Sequence, residues 1–143
     1  MHPNDRARSL VVGTAKNAGL RVYDLTGNEL QAIRPPAAPG PDDSPGRFNN
    51  VDLLGDLAVV TDRGRDTLRF YRIAPDAPGG PLLDVTAPDV PFAFSADQNE
   101  VNEQATAYGL ATFTDFDGRQ YAVVSRRHTT TIGLFRMWRA SRS

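Results

Sequence analysis

The sequence has no cysteine in its 143 residues, which excludes a disulfide framework and any thiolate metal centre and leaves the redox compartment open. Long apolar runs are missing as well. The longest extend over a few residues, far short of the ~20 that span a bilayer. Met1-His2-Pro3-Asn4-Asp5-Arg6 lacks the apolar core of a secretory leader. There is no excess of either charge: the net charge is −1 and the isoelectric point about 6.1, so electrostatics gives no reason to expect nucleic-acid binding. Lysine and glutamate are scarce. Fifteen arginines accompany the single lysine, Lys16, and fourteen aspartates accompany three glutamates. Aspartate is a turn former and a hard oxygen donor, so this bias suits a turn-rich β protein and is compatible with a calcium site, turns being its simplest cause.

What is present is globular in character, with 40% apolar and 23% charged residues. Its organising feature is a repeat. Leu10-Val11-Val12-Gly13-Thr14-Ala15-Lys16 is followed by Leu20-Arg21-Val22-Tyr23. Ala58-Val59-Val60-Thr61-Asp62-Arg63 is followed by Leu68-Arg69-Phe70-Tyr71, and Ala122-Val123-Val124-Ser125-Arg126-Arg127 by Ile132-Gly133-Leu134-Phe135. In each copy a β-branched run ends on a hydroxyl residue, a cation follows two positions later, and a second strand begins after a short polar turn. The anchors Thr14, Thr61 and Ser125 are 47 and 64 residues apart, and the first interval matches the ~40–50 residues of a four-stranded propeller blade.

These signals predict an all-β chain, an incomplete β-propeller of about two and a half four-stranded antiparallel blades. The first blade, within 9–34, has strands Ser9 to Ala15, Gly19 to Leu25 and Glu29 to Arg34, and lacks its innermost strand. The second, within 49–85, is complete, with strands Asn49 to Leu54, Asp56 to Asp62, Thr67 to Ile73 and Pro81 to Val85. The third, within 107–137, has Ala107 to Thr114, Gln120 to Arg126 and Thr131 to Met137, and lacks its outer strand. Pro35 to Pro45 and Ser95 to Thr106 are expected to be loops. A propeller needs at least about four blades to close, so exposed edges and self-association are expected of these residues alone. Asp115-Phe116-Asp117-Gly118 begins like a calcium loop, but Arg126 stands where an EF-hand needs its bidentate glutamate, so it is expected to be a hairpin turn.

Five segments, in order, resemble the β-propeller phytases, the calcium-dependent 3-phytase family. They are Ser9 through Leu25, Gly46-Arg47-Phe48-Asn49-Asn50-Val51-Asp52-Leu53, Val60-Thr61-Asp62-Arg63, Thr106-Ala107-Tyr108-Gly109-Leu110 and Tyr121-Ala122-Val123-Val124-Ser125-Arg126-Arg127. The resemblance covers Ser9 to about Met137. It implies a six-bladed, secreted, extracellular phosphomonoester hydrolase that acts on phytate (myo-inositol hexakisphosphate) or other inositol phosphates through calcium-activated water. As a full-length protein it would be monomeric and would need neither nucleic acid nor membrane. The family carries an Asp-Asp-Pro stretch and an aromatic residue ahead of the position of Met1-His2-Pro3, and a second propeller half that brings most calcium ligands. It also has a longer hairpin between Leu54 and Gly55, and nothing that matches Trp138 to Ser143. The chain is therefore expected to be an N-terminal part of such a propeller, inactive by itself, with a truncated gene model as one origin. The alternative is a non-catalytic propeller fragment that binds only anions or a partner.

The resemblance also assigns residues. Lys16, Arg63 and Arg127 fall at phosphate-contacting positions, and Lys16, Arg63 and Tyr108 would act in catalysis. Asn50, Val51 (through its carbonyl), Asp52 and Tyr108 would lie around Ca2+. Judged on the residues alone, one basic group beside a β-turn is ordinarily solvated surface. Three in register across repeats are less easily dismissed. Tyr108 alone reads equally as a half-buried β aromatic, and Asn50 as the cap of a strand entry. Asp62 and Asp66 are expected to orient Arg63 and Arg65 rather than bind metal. His128 is expected at a surface turn, and His2 has no partner pattern. No Ser, His or Cys constellation for covalent catalysis is present.

Overall fold

The structure, a computed structural model, describes residues 1–138; the Arg139 to Ser143 part of the unmatched tail lies outside the described residues. Ten strands form three antiparallel sheets. The first sheet holds β1 (Val11–Thr14), β2 (Leu20–Tyr23) and β3 (Glu29–Ile33) in that order. The second holds β4 (Phe48–Leu54), β5 (Leu57–Asp62), β6 (Thr67–Ile73) and β7 (Leu82–Asp84). The third holds β8 (Ala107–Thr114), β9 (Gln120–Arg126) and β10 (Ile132–Met137), with β9 in the middle. All-β meanders of three or four strands are what a partial propeller would contain, and every expected strand is present, some shortened at the ends.

Local chemistry explains the joins. Asp24 Oδ1 accepts the amides of Thr26 and Asn28, both at 2.9 Å, and Gly27 supplies the positive φ of 88° that closes the β2–β3 turn. Asp115 Oδ1 does the same for Asp117 and Arg119 at 2.9 and 2.8 Å. The Asp115–Gly118 segment is thus a hairpin turn held by an aspartate.

The middle sheet is covered on both faces. Leu20 and Val22 of β2 pack with Ala58, Val60, Tyr71 and Phe48 to form one core between the first and second sheets. Leu68 packs with Ala107, Ala122 and Val124 to form another between the second and third. Strand alternation makes this possible: Tyr71 points one way and its neighbours Leu68 and Phe70 the other. Consequently Ala58 through Asp62 are all buried. The outer face of the third sheet is uncovered among the described residues, with Ile132 69% and Leu134 60% exposed.

Two of the three hydroxyl anchors of the repeat join one sheet to the next. Thr14 Oγ1 donates to the carbonyl of Asn49 at 3.0 Å, and Thr61 Oγ1 donates to the carbonyl of Tyr108 at 2.8 Å. Each contact ties a sheet to the first strand of its successor. Within a sheet, the Asn50 amide donates to Thr61 Oγ1 at 3.1 Å and the Gly109 amide to Ser125 Oγ at 2.9 Å. Thr61 alone makes both bonds. The ladder shifts register at the corresponding places, between Phe48 and Asn50 and between Ala107 and Leu110, which frees those amides for the hydroxyls.

Two expectations are corrected. The Ser95 to Thr106 stretch is not wholly loop: Gln98–Asn102 is a short α-helix, α1. Asp97 caps it by accepting the Glu100 amide at 3.0 Å, Val101 is fully buried beneath it, and its polar remainder hid the single apolar anchor. His2 does have partners: it is buried, and its Nδ1 accepts the amides of Asn4 and Asp5 at 3.2 and 3.0 Å.

Candidate functional site

Arg63 follows directly on β5 and is 7% exposed. Its amide donates to the carbonyl of Arg47 at 2.9 Å, and its carbonyl accepts the Thr106 hydroxyl. The backbone of the cation is therefore fixed from both sides. Its guanidinium lies 5.8 Å from the centroid of the Tyr108 ring, within cation–π range. Burial, with Arg127 and then Arg47 nearby, pushes the guanidinium below its ordinary arginine value, while Tyr108 acts in the opposite direction. The Nε atoms of Arg63 and Arg47 are buried and have no hydrogen-bond acceptor among the described residues. Asp62 Oδ2, Arg69 Nε and Ser95 Oγ share this lack of a partner, but Arg63 and Arg47 are neighbouring cations, an arrangement that suits an anion.

Of the residues expected at the site, Arg63, Arg127 and Tyr108 come together. Arg127 starts the turn after β9, its amide donating to the Thr106 carbonyl at 2.9 Å. This repeats the bond between Arg63 and Arg47 one sheet further on. Lys16 occupies the matching turn of the first sheet, where its carbonyl accepts the Phe48 amide at 3.2 Å. Its side chain is exposed and its φ is 52°, and no contact joins it to Arg63. His128 is exposed in the turn beyond Arg127 with φ 63°.

Asp62 and Asp66 act through the backbone. Neither carboxylate holds an arginine side chain of the pair. Asp62 Oδ1 accepts the amides of Arg47, Gly64 and Arg65 at 2.8, 3.1 and 3.1 Å. Burial raises its carboxyl above the usual range, against the lowering effect of those amides and of Arg69. Asp66, wholly buried, accepts from Phe94, Ser95 and Ala107 at 3.0, 2.6 and 2.8 Å. Both therefore shape the backbone that carries the cations. Arg65 binds the Ser44 carbonyl at 3.3 Å and Gln98 Oε1 at 2.7 Å, anchoring α1.

Of the oxygen donors expected around calcium, the Asp52 carboxylate is engaged. Asp52 Oδ2 accepts the amide and hydroxyl of Thr112 at 2.7 and 2.8 Å, and Oδ1 accepts the Leu53 amide at 2.9 Å. Asp52 is thus a tether between the second and third sheets. The Tyr108 carbonyl takes both Thr61 and, at 3.1 Å, the Asn49 side chain. Val51 packs against the first core, and the exposed Asn50 amide lies beside that of Asn49. Among the described residues no three His, Asp or Glu side chains gather in a metal-holding group. This set does not by itself fit a calcium ion.

Arg47 was passed over in the sequence except as part of a motif. The signal available was its position directly before an innermost strand, equivalent to Thr106.

No family model matches the chain. Among curated proteins it is similar to the 3-phytase of Bacillus subtilis (strain 168), with 28% identity over 141 residues, covering 87% of this chain and 34% of the relative. The chain is a distant relative of a phytase. It spans about a third of that phytase's length. No helix among the described residues is long and apolar enough to cross a membrane.

Proposed function

We propose that this chain carries the phosphate-gripping part of a phytase-type phosphomonoester hydrolase built on a β-propeller, with phytate or a related inositol phosphate as the ligand. One observation carries the reading: Arg63 is held buried against Tyr108 and beside Arg127, with an Nε donor that has no acceptor among the described residues. A buried, unpaired cation is costly to a fold. A phosphoryl group would satisfy it with charge-assisted hydrogen bonds. The phytase relative supplies the substrate class.

In this reading Arg63 binds and orients a phosphoryl oxygen, and Arg127 holds the same phosphate or a neighbouring one. Lys16 adds charge from the adjacent turn, and the Tyr108 phenol lines the approach. Calcium, which the resemblance implies, would supply charge neutralisation and an activated water. Asp52 is committed to Thr112 and Leu53 and is the one carboxylate among the expected ligands, so such an ion would need further carboxylates. The isolated chain is accordingly a binder without turnover, in a protein whose complete form would act outside the cell.

The test is calorimetric titration of the 143-residue chain with inositol hexakisphosphate. Saturable binding is expected, weakened about tenfold or more in Arg63→Gln, a loss of ~1.4 kcal/mol or more. Arg119→Gln, on the remote Asp115–Gly118 hairpin, should leave it unchanged. Equal affinity for wild type and Arg63→Gln would overturn the reading.

A further inference from the structure

We propose that Arg47 is a third anion-contacting group of this site, paired with Arg63 so that the two guanidinium groups grip one ligand together. The inference rests on the phosphate-gripping reading above and extends it to a residue that neither the repeat nor its cations point to.

The geometry starts in the backbone. Arg47 precedes β4, and its amide is fixed by Asp62 Oδ1 at 2.8 Å while its carbonyl accepts the Arg63 amide at 2.9 Å. Asp62 is the residue immediately before Arg63, so one carboxylate sets the position of both arginines. Gly64 reinforces the arrangement: a Cβ there would overlap the Pro45 carbonyl oxygen and crowd the Arg47 amide, so the Pro45–Arg47 segment lies directly on the turn that carries Arg63. Neither arginine has an ion-pair partner among the described residues, and in both the Nε is buried without an acceptor. Arg63 also senses the Arg47 charge, which helps to lower its proton affinity.

Two like charges held together by a rigid backbone, each with an unused donor, store repulsion that an anion relieves. Arginine suits this position because its planar fork can offer Nε and a terminal nitrogen to two oxygens of one phosphate. Arg47 would then act on affinity and on its salt dependence, with a preference for doubly charged phosphate esters over singly charged ones.

The experiment titrates the full chain with inositol hexakisphosphate at several salt concentrations, comparing wild type, Arg63→Gln, Arg47→Gln and Arg47→Lys. Arg47→Gln is expected to weaken binding about fivefold to tenfold and to flatten the salt dependence. Arg47→Lys should recover the salt dependence and part of the affinity, a pattern that a merely structural role would not produce. If Arg63→Gln weakens binding while Arg47→Gln binds like wild type, the inference is overturned and the site reading stands. If Arg63→Gln also binds like wild type, both fall. Should Arg47→Gln fail to fold, the arginine Nε–Hε resonances of the wild-type chain decide. A saturable shift at Arg47 alongside Arg63 supports the proposal, and an unmoved Arg47 beside a shifting Arg63 refutes it.

Discussion

Replacing Thr61 by valine removes one oxygen from the centre of the fold and hardly changes the side chain's shape. That oxygen is fully buried, donates to the Tyr108 carbonyl at 2.8 Å and accepts the Asn50 amide at 3.1 Å. Valine would leave one donor and one acceptor, both part-buried, without that partner, at roughly 1–3 kcal/mol each. The Tyr108 carbonyl keeps its contact from Asn49, so its share falls at the low end, and the total is about 2–4 kcal/mol. For a domain of this size that lowers the melting temperature by about 7–13 °C. Thr14→Val and Ser125→Ala each break one hydrogen bond, to Asn49 and from Gly109 respectively, and should cost about 1 kcal/mol each. Urea unfolding of the four proteins measures this directly, provided the slope with urea is unchanged. A Thr61→Val variant within ~0.5 kcal/mol of wild type would refute the idea that the hydroxyls join successive sheets. So would a Ser125→Ala variant as unstable as Thr61→Val.

Other outcomes follow from the same contacts. Gly64→Ala should destabilise the chain by about 2 kcal/mol, since the new methyl meets Pro45 and Arg47 backbone atoms; it should also weaken inositol hexakisphosphate binding, and unchanged values in both assays would count against the packed Pro45–Arg47 segment. Asp62 has its folded carboxyl raised by burial, so the folded state holds its proton more tightly. Its contribution to stability is full below the unfolded value of about 3.9 and is lost as pH rises through the higher folded value. Asp62→Asn cannot titrate, so wild type should lose stability relative to that variant across this window in urea melts at stepped pH, and a constant difference would contradict the assignment. Phosphate release from phytate by the 143-residue chain with added calcium should be at background, and calcium-dependent turnover would show that the described residues suffice for catalysis.

The repeat was legible because its physics is local. β-Branched runs, glycine and aspartate turns and the period of two set the ten strands of the described residues, and aligning the copies picks out Thr14 and Thr61, whose hydroxyls bridge the sheets. Long-range partnerships were less legible. Nothing near Asp62 or Asp66 in sequence announces that their carboxylates gather amides from residues as distant as Arg47 and Ala107; the sequence points instead to the neighbouring arginines. Helix α1 was missed because five residues with one buried valine show no helical stripe. The site was half visible. Arg63 and Arg127 stand out by register, and Tyr108 by the phytase resemblance, but their proximity depends on how the second and third sheets stack. Arg47 sits outside the hairpin and becomes visible only when its backbone is seen bonded to Arg63.

The central claim is that the buried Arg63 is an anion seat, and a crystal structure of the chain with inositol hexakisphosphate tests it most directly. A phosphate group within hydrogen-bonding distance of Arg63 Nε, with Arg127 on the same ligand, is expected. A ligand bound elsewhere, with Arg63 Nε still unpaired, would contradict it.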